Sequence, residues 1–294
     1  MKIIKSVCSN LFFPQSRASI DAFREMAGFL AERGAQSLEF YHDGDGPGRV
    51  GAVLADNGLE GIYIAVIPLK EQLCHLCDTD AENRARALEI VRRSADLAAD
   101  NGMGCVMFNS GRIEPGREAE QLDALFASVE SIYDYAARKC YALRFEMEPC
   151  DSGIDARQLI GPYRRTRAFM ERLRGAGLPL MLTMDSAHTA EEGEDFFTAV
   201  EAVKPWCNHV HYANCRISNP ADPLYGDKHL GYEYTDTVWT FDALDDLTAR
   251  LDGLYAGSEP LRIGLEALCR ESDPYAWFER AWRRMGYMSN GGED

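Results

Sequence analysis

The chain has 294 residues, 46% hydrophobic and 27% charged, the balance of an ordinary globular protein, and it contains no run of about 18 apolar residues that could span a bilayer. Its formal charge of −16, from 31 Lys and Arg against 47 Asp and Glu, repels phosphate backbones and leaves no basic stripe for a nucleic acid. No nucleic-acid or membrane partner is therefore expected, and small neutral substrates or cations fit better.

The N-terminal residues Met1-Lys2-Ile3-Ile4-Lys5 lead into an apolar run that polar residues and Pro14 interrupt before a signal-peptide core can form, so a cytoplasmic location is expected. From there the chain alternates short apolar runs with longer amphipathic ones. A strand at 3–8 precedes a helix at 19–33, with Ser19 as its N-cap and Gly34 as its stop. A strand at 37–41 precedes a helix at 50–57, and a strand at 61–67, closed by Pro68, precedes a helix at 80–101. Between these last two, Cys74-His75-Leu76-Cys77 is the one metal-like cysteine spacing, but it has no second pair to complete a zinc site and reads as a thiol pair in a loop. All nine cysteines are expected to be reduced. Further strands are expected at 105–108, 143–148, 180–184, 209–213 and 261–265, with helices at 118–139, 155–175, 191–203, 241–254 and 274–285. Eight β–α units with glycine at the helix ends predict a single (β/α)8 TIM barrel over residues 1–294, and no GxGxxG follows any strand to favour a dinucleotide-binding sheet.

Polar residues at the C-terminal ends of barrel strands are the first candidates for chemistry. Strand five ends Arg144-Phe145-Glu146-Met147-Glu148-Pro149, and alternation puts Glu146 and Glu148 on one face, read here as the barrel mouth. Strand six ends Asp185-Ser186-Ala187-His188, strand seven contains His209-Val210-His211, and strand eight ends Gly264-Leu265-Glu266. Each alone has a dull explanation as an ion-pair partner or a satisfied core histidine. Together they would bury three carboxylates at one place, which is costly unless a divalent cation with mixed oxygen and nitrogen ligands sits among them.

The order Glu-Pro, Asp-x-x-His, His-x-His and Glu on successive strands resembles the xylose isomerase-like barrel superfamily of sugar and sugar-phosphate isomerases and epimerases. The likeness is strongest from Glu148 to Glu266, and Asp227-Lys228-His229-Leu230-Gly231 resembles a further loop pattern of that superfamily. It implies one divalent metal ion (manganese first, or magnesium, cobalt or zinc) held by Glu148, Asp185, His211 and Glu266. The metal would chelate a carbonyl and its neighbouring hydroxyl and lower the cost of the enediolate, while Glu148 and Glu266 remove and return protons. It also implies that His188, Arg216, Asp227 and His229 contact substrate. Arg216 follows His211 by five residues where the ketose 3-epimerase pattern has six.

The expected activity is thus epimerisation or isomerisation of a ketose or related polyol, with a homo-oligomer common among such barrels. Arg112 and Arg117, after strand four, are the only phosphate-binding candidates, and without a Gly-rich phosphate loop an unphosphorylated substrate is preferred. The same metal and bases could instead serve a lyase, by dehydration of an inosose or scission of a carbon-linked sugar. Abasic-site endonucleases of the superfamily need two further histidines at the ends of strands three and four, where this chain has Val66-Ile67-Pro68 and Asn109-Ser110-Gly111. A non-catalytic barrel subunit would have no use for both candidate bases and His188. Residues 217–239 form a long loop that reads equally as a lid or as a surface excursion packed on its own aromatics.

Overall fold

The computed structural model describes residues 1–288 and is a closed, all-parallel eight-stranded barrel in the order β1 to β8. The strands are β1 (Ile3–Cys8), β2 (Ser37–Phe40), β3 (Glu60–Ile64), β4 (Cys105–Asn109), β5 (Arg144–Glu148), β6 (Met181–Asp185), β7 (Cys207–Tyr212) and β8 (Leu261–Leu265). A helix follows each strand, so the predicted TIM barrel is the observed fold. Ser19, Asp80, Asp195, Thr240 and Asp273 each accept a backbone N–H at a helix start, fixing where the chain leaves a loop for the outer ring. No helix among the described residues is long and apolar enough to cross a membrane.

Strand alternation divides the chain between two environments. Outward-facing Val7, Leu38, Phe40, Val106, Phe108, Phe145, Met147, Leu182, Val210 and Ile263 are buried against the helices in one continuous core. Each large apolar side chain removed from water there contributes roughly 1.5–3 kcal/mol. Inside the barrel, β3 and β4 supply a small apolar plug of Ile62, Cys105 and Met107. The inward positions of β1, β2, β5, β6, β7 and β8 are instead largely polar: Ser6, Glu39, Glu146, Glu148, Thr183, Asp185, His209, His211 and Arg262 are all buried.

Several boundaries depart from the sequence expectation. β3 stops at Ile64, because Val66–Glu71 is a short helix with Pro68 in its first turn, where the missing N–H costs nothing. The helix expected from residue 155 begins only at Tyr163. Before it, the Asp151 carboxylate accepts the backbone N–H groups of Ile154, Asp155 and Ala156 at 2.7–2.8 Å and holds that segment in a compact loop. The helix expected at 191–203 is two, Ser186–Glu191 and Phe196–Val203, separated at Gly193, whose φ is 71°. Cys74 and Cys77 are buried free thiols, and among the described residues no group of three metal-capable side chains includes either.

Candidate active site

The site forms where β5, β6, β7 and β8 open at the C-terminal end of the barrel. Glu148 and Asp185 are the last residues of their strands, and register places Asp185 beside His211 and His211 beside Gly264. Ligand-capable atoms of Glu148, Asp185, His211 and Glu266 all lie within 4.8 Å of one another. The structure therefore brings together the four residues predicted as metal ligands.

His211 sits at the centre. Its Nδ1 lies 2.9 Å from Glu148 Oε1, 2.7 Å from Glu266 Oε2 and 3.9 Å from Asp185 Oδ2. Asp185 Oδ1 accepts the N–H groups of Ala187 and His188 at 2.8 Å, which caps the helix Ser186–Glu191 and fixes the carboxylate plane. Its other oxygen, Oδ2, is buried with no hydrogen-bond partner, and buried Glu266 Oε2 faces only the His211 ring nitrogen. Burial and the neighbouring carboxylates Glu266, Asp227 and Glu148 push the Asp185 carboxyl well above its usual range, although His188 opposes the shift. Glu266 is lowered to about 2: burial opposes this, and the adjacent imidazole of His211 outweighs it. A buried acceptor with no partner, Asp185 Oδ2, beside a histidine nitrogen and two further carboxylates is what a divalent cation satisfies, so the residues present fit the implied metal.

A second polar group borders this one. His188 Nδ1 lies 3.2 Å from Glu191 Oε2 and 3.4 Å from Asp151 Oδ1, and its Nε2 lies 3.6 Å from Asp227 Oδ2. Burial works against a charge on His188, but Cys150, Asp151 and Glu191 around the ring outweigh it and hold its pKa well above the usual histidine value. Asp227 also accepts the N–H of His229 at 3.2 Å. His229 adopts a left-handed backbone (φ 49°), and its Nδ1 lies 3.6 Å from Glu266 Oε1. Predicted substrate contacts His188, Asp227 and His229 thus converge beside Glu266.

Arg216 is different. Its Nη1 pairs with Asp222 at 2.7 Å and its Nη2 donates to the Thr235 carbonyl at 2.8 Å, so the guanidinium closes the long loop on itself. Asn214 ties the far end of that loop down, exchanging hydrogen bonds with the Trp239 backbone at 2.9 Å each way. Arg117, a phosphate candidate, pairs with Glu114 and Glu120.

Sequence reasoning missed three residues. Asp151 and Glu191 both face His188; Glu191 stands three residues beyond it on the same helix, a spacing that brings side chains together. Glu39 lies inside β2, fully buried, and accepts from His211 Nε2 at 2.8 Å. A glutamate within a four-residue strand buried throughout was the available signal.

The description of the xylose isomerase-like TIM barrel matches residues 27–259, and the chain belongs to that family. No curated protein matches it. Solved structures share the fold at low identity. A D-tagatose 3-epimerase-like protein is 15% identical, with a TM-score of 0.69 over 97% of this chain and 98% of its own. An L-ribulose 3-epimerase is 20% identical, with a TM-score of 0.64 over 98% of this chain and 88% of its own. An AP endonuclease, family 2, from Brucella melitensis is 16% identical, with a TM-score of 0.65 over 95% of this chain and 98% of its own.

Proposed function

We propose that the protein is a divalent-metal-dependent epimerase or isomerase of a ketose or related polyol, with manganese the first metal to test. The observation that carries this reading is the cluster of Glu148, Asp185, His211 and Glu266, in which Asp185 Oδ2 is buried and unpaired and Glu266 Oε2 faces only the His211 ring nitrogen. These four residues would hold the ion. When bound, it supplies Lewis acidity at a substrate carbonyl oxygen and so makes a proton on the neighbouring carbon easier to remove.

The chain's own residues supply the rest. Glu148 and Glu266 approach His211 from different strands, so one carboxylate can take a proton from carbon and the other can return one. Return to the opposite face gives epimerisation, and return to the adjacent carbon gives aldose–ketose isomerisation. His188, held on three sides by Asp151, Glu191 and Asp227, donates a hydrogen bond to a substrate oxygen without losing its orientation. The 3-epimerases among the structural neighbours favour a sugar over a nucleic acid, and so does the charge of −16. An endonuclease would need further histidine ligands, and β3 and β4 end in Ile64 and Asn109.

The test is proton–deuterium exchange on a panel of ketoses, hydroxypyruvate and inososes in heavy water with added manganese. Exchange beside a carbonyl is expected in the native protein and is expected to fall by at least about 10³-fold in Glu266→Gln and in Glu148→Gln with the fold intact. Unchanged exchange in either variant defeats the two-base mechanism. Release of water from an inosose without exchange into recovered substrate would move the assignment to a lyase.

A further inference from the structure

Below the four-residue cluster, a continuous line of buried hydrogen bonds runs down the inside of the barrel from His211. Nε2 of His211 is 2.8 Å from Glu39 Oε2. The other oxygen of Glu39 accepts from Ser6 Oγ at 2.7 Å and from His209 Nε2 at 3.1 Å. Nδ1 of His209 is 2.7 Å from Glu146 Oε2, which also accepts from Thr183 Oγ1 at 2.9 Å. Glu146 Oε1 accepts from Arg144 Nε at 2.7 Å. Strands β1, β2, β5, β6 and β7 each contribute one group or two, and β8 contributes space. A Cβ on Gly264 would lie 2.6 Å from Glu39 Oε1 and 2.8 Å from His211 Cδ2, so any side chain there would collide with the pair.

We propose that Glu39 is the positioning residue for His211, holding the proton on Nε2 so that the Nδ1 lone pair is presented to the metal. The inference rests on the metal-dependent reading above. A carboxylate can only accept, so both ring nitrogens can carry hydrogen while the cluster holds no ion; a cation among Glu148, Asp185 and Glu266 would displace the hydrogen on Nδ1, and Glu39 keeps the one on Nε2. Such an outer carboxylate fixes both the tautomer and the plane of a ligating imidazole and makes it a better donor. Glu39 cannot swing away, because Ser6 and His209 occupy its second oxygen and Gly264 leaves only enough room for the pair as it stands. His209, Glu146 and Arg144 act one step further out, through Glu39.

The experiment is calorimetric titration of the metal-stripped protein with Mn2+, together with two-bond 1H–15N correlation of the histidine rings in the Zn2+-loaded protein. The native protein should bind one ion, with the His211 ring carrying hydrogen on Nε2. Glu39→Gln should weaken Mn2+ binding by about 10- to 100-fold and broaden or lose the His211 Nε2 proton, while the far-ultraviolet spectrum is unchanged. Gly264→Ala, which removes no charge, should weaken binding by at least about 10-fold by forcing the pair apart. If both variants bind Mn2+ as tightly as the native protein, the positioning role is wrong and the metal site stands. If the native protein binds no divalent ion, the metal reading itself fails. Cys8 Sγ lies 3.8 Å from His211 Nε2, and Cys8, Glu39 and His211 could themselves group around an ion. A loss in Cys8→Ser as large as that in Glu39→Gln, with two ions bound per chain, would make Glu39 a ligand and overturn the proposal.

Discussion

Two layers of the barrel interior contain the same kinds of residue and keep opposite hydrogen-bond accounts. The lower layer, with Glu39, Glu146, His209, Arg144 and Thr183, leaves no glutamate oxygen without a partner: Glu39 has three donors and Glu146 has three. The upper layer, with Glu148, Asp185, His211 and Glu266, leaves buried Asp185 Oδ2 without any partner and crowds Glu148 and Glu266 onto the single nitrogen His211 Nδ1. A carboxylate buried with a full set of donors is structural, whereas one buried with a free lone pair carries an electrostatic cost that a cation or a proton removes. Titration sets Asp185 apart: burial works against Glu146 and Glu266 alike, yet His209 and Arg144 hold the first at about 2 and His211 holds the second at about 2, while Asp185 is pushed up. On the proposed function, the lower layer is the support and the upper layer the binding site.

Substitutions on each side should separate the two. Glu146→Gln removes the negative charge that Arg144 and His209 share, and its largest effect should be on stability, a loss of about 2–3 kcal/mol in denaturant unfolding of the metal-free protein. The low end of the usual range applies because the Arg144 side chain is 36% exposed and can be rescued by water. A neutral result would dissolve the distinction between the layers. Asp185→Asn should do the reverse. Asparagine keeps the oxygen that caps Ala187 and His188, and it removes one of three crowded negative charges, so the metal-free protein should be at least as stable as the native one. In the native protein, Mn2+ at about 100 times its dissociation constant should add about 2.7 kcal/mol, and in Asp185→Asn that increment should vanish. A metal-induced rise in melting temperature that survives the substitution would remove Asp185 from the ligand set.

How far the sequence reached follows from the same geometry. Alternation along a strand fixes which face a side chain takes, and that was enough to put Glu148, His211 and their neighbours inside the barrel. It does not fix height. Glu146 has the parity of Glu148, and His209 that of His211, yet each pair spans two layers, so Glu146 lies below the mouth, where the sequence reading had placed it at the mouth. Depth is set by the stagger between neighbouring strands, as when Asp185 comes level with His211 and Thr183 with His209. No local pattern encodes that stagger. Glu39 was hidden for the same reason, since its histidine partners lie more than 100 residues away in sequence. The helix reading overran the loop at 151–162, where the Asp151 carboxylate gathers three backbone N–H groups and the helix starts only at Tyr163, after Pro162.

The polar group around His188, bordering these layers, offers the smallest and most specific test. Burial pushes the Glu191 carboxyl up to about 7, with Asp151 and Asp227 adding repulsion that the hydrogen bond from His188 only partly offsets. A carboxyl whose folded pKa is raised binds more protons in the native state than in the unfolded chain, which titrates near its ordinary value of about 4.3. Stability should therefore fall as pH rises from about 4.5 through about 7, the opposite of the behaviour of the fully paired Glu146, whose contribution is present above its unfolded pKa and fades only in acid. Glu191→Gln cannot titrate and keeps an oxygen that can accept from His188. At pH 8 it should be more stable than the native chain by about 1–2 kcal/mol, at pH 4.5 the gap should close or reverse, and unfolding free energies at several pH values measure both. A constant difference across that range would mean that Glu191 is ionised throughout in the folded protein, with its buried Oε1 satisfied by a cation or solvent at the His188 group.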